Sequence, residues 1–188
     1  MNFNRHSELV GKHAFLSPSK YTWLGYSKDQ LRQAYINASA AARGIKLHAI
    51  AKELIEEGIK VRGNKQTFAA YVNDAIGYGM TPELPLYFSD NCFGTTDSLY
   101  YNNGILRIHD YKSGVTPAHM EQLEIYAALF LLEYERVLGI KPNKVKTELR
   151  IYQNDDIVEE SPDPELIEDI MNDIRQKDAW TEEFREER

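Results

Sequence analysis

The chain contains almost no cysteine. Cys92 is the only one among 188 residues, so an intramolecular disulfide is excluded and no Cys-x-x-Cys pair is present to bind zinc. An iron–sulfur cluster held by four cysteines is excluded for the same reason. A lone cysteine of this kind is expected to be a small buried residue beside a strand.

Long hydrophobic runs are also missing. None approaches the ~20 residues that a membrane-spanning helix needs, and no apolar signal region follows the first residues. These absences favour a cytoplasmic protein without a membrane partner. No Walker A sequence is present, so ATP-driven unwinding would require a helicase or recombination partner.

The chain lacks an overall positive charge. Its net charge of −7 at pH 7 argues against a broad phosphate-binding surface. Residues 155–188 contain 14 Asp and Glu, whereas the first 150 residues are close to balanced. Nucleic acid would therefore have to approach through a local basic rim. The candidates, each explained equally well as a solvated helix residue, are Arg43, Lys46, Lys52, Lys60, Arg62 and Lys65.

What is present suits one globular domain over residues 1–188. Hydrophobic residues make up 43% and charged residues 27%. The charged segment 178–188 is expected to be a frayed acidic tail.

Hydrophobic periodicity predicts an α/β fold, with a small mixed central β-sheet flanked by helices. The Asn102-Asn103-Gly104 tripeptide predicts a tight hairpin turn between two of the strands. The predicted helices are 28–58 (with a break near Gly44), 66–77, 117–138 and 165–177. The predicted strands are 83–88, 94–101, 105–111, 145–152 and a short return strand at 157–158.

Two carboxylates and a lysine fall on neighbouring predicted strands. Asp110 and Lys112 are two residues apart, so they project from the same face, and the preceding strand can bring Asp97 alongside them. Carboxylates bind hard divalent cations, which activate water, and a lysine stabilises developing negative charge. This combination predicts hydrolysis of phosphodiester bonds. The alternative for Asp110 and Lys112 is a surface ion pair.

Four short motifs follow one another between about residues 15 and 152. They are Gly44-x-x-x-His48, Gly94-x-x-Asp97, Asp110-Tyr111-Lys112 and Gln122-x-x-x-Tyr126. In this order, and on these predicted elements, they make the chain resemble the PD-(D/E)xK nuclease superfamily. The resemblance is to its RecB-type exonuclease branch, which includes phage-encoded members. Each motif is weak alone, and the joint order carries the resemblance.

The resemblance implies a restriction-endonuclease-like core and a function in recombination. The expected activity is a Mg²⁺- or Mn²⁺-dependent DNA exonuclease that starts from free ends, including single-stranded ones. It implies metal ligation by His48, Asp97, Asp110 and the Tyr111 carbonyl. The catalytic residues it implies are Asp97, Asp110, Lys112, Gln122 and Tyr126.

Other interpretations remain open at this point. His48 and Tyr126 can be packing residues, with Gln122 at the rim. Tyr21 and Trp23 can stack on unpaired bases, although core packing is favoured for both. At the level of function, the alternatives are a non-catalytic nuclease-like module that binds nucleic acid or protein, and a structure-specific endonuclease or resolvase.

Overall fold

The computed structural model describes residues 6–9, 11–63 and 67–186. The chain divides into two compact units, residues 1–43 and 44–188. The first unit contains two short 3-10 helices, Ser7–Leu9 and Pro18–Gly25, and the beginning of a long helix that runs through the boundary. Whether residues 1–188 fold as one cooperative domain stays a prediction.

The second unit is built on a five-stranded mixed sheet flanked by helices, which confirms the predicted α/β class. The strands lie in sequence order, β1-β2-β3-β4-β5. β3 and β4 pair in parallel and the other neighbours pair antiparallel. The elements are α1 (Lys28–Glu56), α2 (Thr67–Tyr78), β1 (Thr81–Ser89), β2 (Cys92–Asn102), β3 (Ile105–Lys112), α3 (Glu121–Leu138), β4 (Lys146–Gln153), β5 (Asp156–Glu160) and α4 (Pro164–Glu186).

The tight turns of the sheet follow from residues that tolerate left-handed backbone. Asn103 and Gly104 have φ of 49° and 77°, the conformation that a two-residue hairpin between β2 and β3 requires. Asn154 and Asp155 join β4 to β5 with φ of 52° and 59°. Both predicted hairpins are therefore confirmed.

The sheet packs a different core on each face. Leu106 and Ile108 of β3 lie in the larger core with residues of α3 and α4. Tyr111 lies in the second core, with residues of α1 and α2. Successive side chains of one strand thus pack into the cores on opposite faces of the sheet. Asp110 shares the face of Leu106 and Ile108 and lies at the carboxyl end of the strand.

Three helix boundaries differ from the prediction. α1 continues through Gly44 without a break. α3 begins at Glu121 rather than 117, because Gln153 of β4 fixes the preceding loop: it accepts a hydrogen bond from the Ala118 N–H and donates to the Gly114 and Thr116 carbonyls.

α4 extends to Glu186 instead of ending near Lys177, so residues 178–186 are helical. Asp178 in this extension accepts hydrogen bonds from Ser89 and Asn91. Residues 187–188 lie outside the described residues. None of the described helices combines the length and apolarity needed to cross a membrane.

Candidate functional site

Asp110 and Lys112 lie together at the end of β3. The Lys112 ammonium donates hydrogen bonds to Asp110 Oδ1 and to Gln122 Oε1 of α3, both at 2.9 Å. Asp110 is only 3% exposed, so the pair is not the surface ion pair of the alternative interpretation. Lys112 thereby links a buried carboxylate to the first turn of α3.

Asp97 on β2 connects β3 with α1. One of its oxygens, Oδ2, accepts a hydrogen bond from the Tyr111 N–H at 2.8 Å. The other, Oδ1, lies 3.2 Å from His48 Nδ1. A single carboxylate therefore fixes the His48 ring against the end of the sheet.

His48, Glu83 and Asp97 form a group of potential metal ligands. One donor atom of each lies within 4.8 Å of the others. Glu83 Oε1 is 4.0 Å from His48 Nδ1. Glu83 has a φ of 48°, a strained value for a residue with a side chain. Sequence analysis did not include Glu83 in the site; the only signal for it was an acidic residue at the start of a predicted strand that is otherwise apolar.

The site holds an excess of negative charge. Burial and the neighbouring charge of Asp97 raise the pKa of Asp110 to about 6, although Lys112 opposes the shift. Burial and Asp97 also raise the pKa of Glu83. The hydrogen bond to Asp97 is the main cause that raises the pKa of His48. The charge of Asp97 thus disfavours the charged forms of Asp110 and Glu83, and an added cation would relieve that repulsion.

The donor chemistry fits a divalent cation. Carboxylate oxygens with one imidazole nitrogen suit Mg²⁺ weakly and Mn²⁺ better, without being specific for either. Asp110 Oδ2 is buried and has no hydrogen-bond partner among the described residues, so it retains a free lone pair beside the group. Asp110 itself is not one of the three residues that cluster within 4.8 Å, and the role of the Tyr111 carbonyl stays a prediction.

Two motif glycines make close contacts with other motif or site residues. A Cβ on Gly94 would lie 2.9 Å from Cε1 of Tyr126, so the ring occupies the space that a side chain would need. A Cβ on Gly44 would lie 2.9 Å from Ser113 Oγ, next to Lys112. The spacing Gly94-x-x-Asp97 thus couples the position of Asp97 to the helix that carries Gln122 and Tyr126.

The remaining candidates lie outside this group. Tyr21 is 70% exposed, so its predicted core packing is wrong, whereas Trp23 is half-buried and donates to the Ser17 carbonyl at 3.0 Å. Cys92 is half-buried in β2. Of the proposed basic rim, Arg43, Lys46, Lys60 and Arg62 are exposed, Lys52 lies 3.9 Å from Glu56, and Lys65 lies outside the described residues.

No protein-family model matches the chain, and no curated protein matches its sequence significantly. Membership of the PD-(D/E)xK superfamily therefore stays a prediction that rests on the four motifs and their order.

Proposed function

We propose that this chain is a Mg²⁺- or Mn²⁺-dependent deoxyribonuclease. The observation that supports this best is the position of Asp97, which touches both His48 and the backbone of β3 beside the buried Asp110–Lys112 pair. Carboxylates, an imidazole and a lysine are then concentrated at one edge of the sheet.

His48, Glu83, Asp97 and Asp110 would hold the cation. A divalent cation bound there would polarise a phosphate oxygen and lower the pKa of water. Lys112 is already held by Asp110 and Gln122, so its ammonium is positioned to stabilise the negative charge that grows on the phosphate during attack. Gln122 positions Lys112, and Tyr126 positions β2 through Gly94.

We include action from free DNA ends in the proposal. Only the resemblance of the four motifs to exonucleases supports this part. The rivals are an endonuclease or resolvase, and a module that binds nucleic acid or protein without cutting it. The burial of Asp110 argues against the binding module, because burying a carboxylate is costly for a surface that only has to bind.

The experiment is cleavage of end-labelled DNA by the intact chain with Mg²⁺, with Mn²⁺ or with EDTA. Mn²⁺ should support activity at least as well as Mg²⁺, since it accepts the imidazole nitrogen more readily. Asp97→Asn should be inactive under all three conditions. Cleavage that is undiminished in EDTA would refute the metal mechanism, and binding without cleavage under any metal would favour the module.

A further inference from the structure

A long groove lies between α3 and α4, lined by residues that have no part in the candidate site. It is a cavity of about 510 Å³. Its apolar lining includes Ile125, Leu166, Ile170 and Ile174, and Cys92 also lines it. Leu166 and Thr181, both in the lining, are 15 residues apart on α4, which corresponds to a length of about 22 Å.

The rim of the groove is acidic, and its carboxylates are not equivalent. Asp173 is paired with Lys177 at 2.6 Å. Asp178 accepts hydrogen bonds from Ser89 and Asn91. Glu121 lies 3.9 Å from His119 Nδ1. Each of these three side chains therefore already has a polar neighbour.

Glu124 is the exception among them. It lines the groove and is only 8% exposed, yet its carboxylate has no hydrogen bond or ion pair with any of the described residues. Burial, together with the charges of Glu160 and Glu121, raises its pKa. The carboxylate oxygens are not among the buried unpartnered atoms of the described residues, so they face the groove, where a cation could reach them.

The geometry points to this groove as the docking site for a basic amphipathic helix of a partner protein. Apolar side chains on one face of such a helix would pack on Ile125, Leu166 and Ile170. A lysine or arginine would extend its apolar stem along the groove and place its charge against Glu124. The length of about 22 Å suits roughly four helical turns, which is the helix-in-groove mode of recognition.

Charge complementarity selects this occupant. Residues 44–188 carry 16 Lys and Arg against 27 Asp and Glu, a net charge of −11, and the groove lining holds four carboxylates and one lysine, so a basic segment is attracted there. The inference does not depend on the proposed nuclease function, because the groove uses none of the residues of that site. It shares α3 and β2 with the site, but Gln122, Tyr126 and Asp97 do not line the groove.

The test is a titration of the full chain with a synthetic leucine–lysine peptide of about five helical turns, patterned to be amphipathic as a helix. A peptide of the same composition with the pattern scrambled is the control. We expect the patterned peptide to bind at least tenfold more tightly. It should also slow alkylation of Cys92, which lines the groove and is the only cysteine of the chain.

Two variants separate the groove from general electrostatics. Glu124→Gln should weaken binding of the patterned peptide at least tenfold. Asp169→Asn removes the same charge from an exposed position of α4 outside the groove lining and should weaken binding less than twofold. Equal losses in both variants, equal binding of both peptides, or no protection of Cys92 would overturn the inference. If the chain self-associates and Glu124→Gln abolishes that self-association, the occupant of the groove is a second copy of this chain and the inferred partner helix is wrong.

Discussion

At the scale of single residues, burial distinguishes Asp110 and Lys112 from an ordinary charged pair. Lys146 and Glu148 on β4 are also two residues apart and bond at 2.7 Å, but Lys146 is largely exposed. Exposed pairs of that kind contribute little to stability or function. In the Lys112–Asp110 pair the carboxylate is buried and the lysine is only partly exposed, so solvent screens its charges less than those of Lys146 and Glu148.

This contrast gives a first prediction. Lys112→Gln should lower cleavage by about 10²–10³-fold, the usual cost of losing one group that stabilises transition-state charge. Mn²⁺ affinity, measured by calorimetric titration, should stay close to that of the unaltered chain because an ammonium is not a ligand. Lys146→Gln is the matched control and should change neither quantity. Loss of Mn²⁺ binding in the Lys112 variant, with the fold intact by circular dichroism, would contradict the assignment.

A second prediction concerns pH. A metal ligand must be deprotonated, and the structure raises the pKa of His48 and, to about 6, that of Asp110. At a given pH, His48 and Asp110 are therefore protonated to a larger fraction than the same side chains free in water. Mn²⁺ affinity should fall as the pH falls from about 7.5 to 5.5, with protons released on binding.

Calorimetry in two buffers of different ionisation enthalpy measures that proton release. His119 is exposed on the loop before α3, so His119→Asn should release as many protons as the unaltered chain. His48→Gln should release fewer. Mn²⁺ binding that is independent of pH across this range would show that neither His48 nor Asp110 is a ligand.

Sequence analysis predicted the proximity of residues that short spacing brings together. It did not predict the proximity of Glu83, which depends on tertiary contacts. Asp110 and Lys112 share a face because a strand has a period of two, and the hairpin turn at Asn103-Gly104 brings Asp97 close. Glu83 reaches His48 only through the pairing of β1 with β2 and an unusual backbone conformation. No local pattern encodes that approach.

At the scale of elements, the contact between β2 and α3 sets the geometry of the site. Tyr126 fills the space above Gly94, and three residues later β2 presents Asp97. Gln122, one helical turn before Tyr126, bonds Lys112. A shift of α3 relative to β2 would therefore disturb both the Gln122 bond to Lys112 and the position of the strand that carries Asp97.

The third prediction tests this contact. Gly94→Ala would place a methyl group 2.9 Å from the Tyr126 ring, which should lower the free energy of unfolding by about 1–3 kcal/mol. Cleavage should fall as well, because Asp97 is displaced. The measurement is urea unfolding, followed by the cleavage assay at a temperature where the variant remains folded.

Gly77→Ala is the matched control for this change. Gly77 lies in α2 with nothing within 4 Å of an added Cβ, so alanine should be neutral or stabilise by up to about 1 kcal/mol. Combining Gly94→Ala with Tyr126→Leu should recover part of the lost stability. If Gly94→Ala alone is as harmless as Gly77→Ala, Tyr126 does not constrain β2.

The boundaries that the sequence missed are those set by contacts distant along the chain. Helical periodicity continues into residues 117–120, but Gln153 of β4 holds that segment as a loop. The polar composition of residues 178–186 suggested fraying, whereas Asp178 is fixed by the β1–β2 turn. In each case a side chain from another element sets the helix boundary, and local helix propensity does not encode that contact.

At the scale of the whole molecule, charge is divided unequally along the chain. Residues 1–43 carry six Lys and Arg against two Asp and Glu, a net charge of +4, whereas residues 44–188 carry −11. The candidate site belongs to the acidic unit. An uninterrupted duplex would bring many phosphates close to that unit and gain few compensating contacts, whereas a strand end exposes fewer phosphates.

The last prediction follows from this distribution and from the resemblance to exonucleases. Linear DNA should be degraded progressively in the presence of Mn²⁺, and covalently closed circles of the same sequence should survive. Circles nicked once beforehand provide a matched control, since a nick adds one 3′ end and one 5′ end without changing length or composition. Nicking or linearisation of closed circles by the intact chain at a rate comparable with digestion of linear DNA would refute action from ends. That outcome, combined with inactivity of Asp97→Asn on both substrates, would assign the same site to an endonuclease or resolvase.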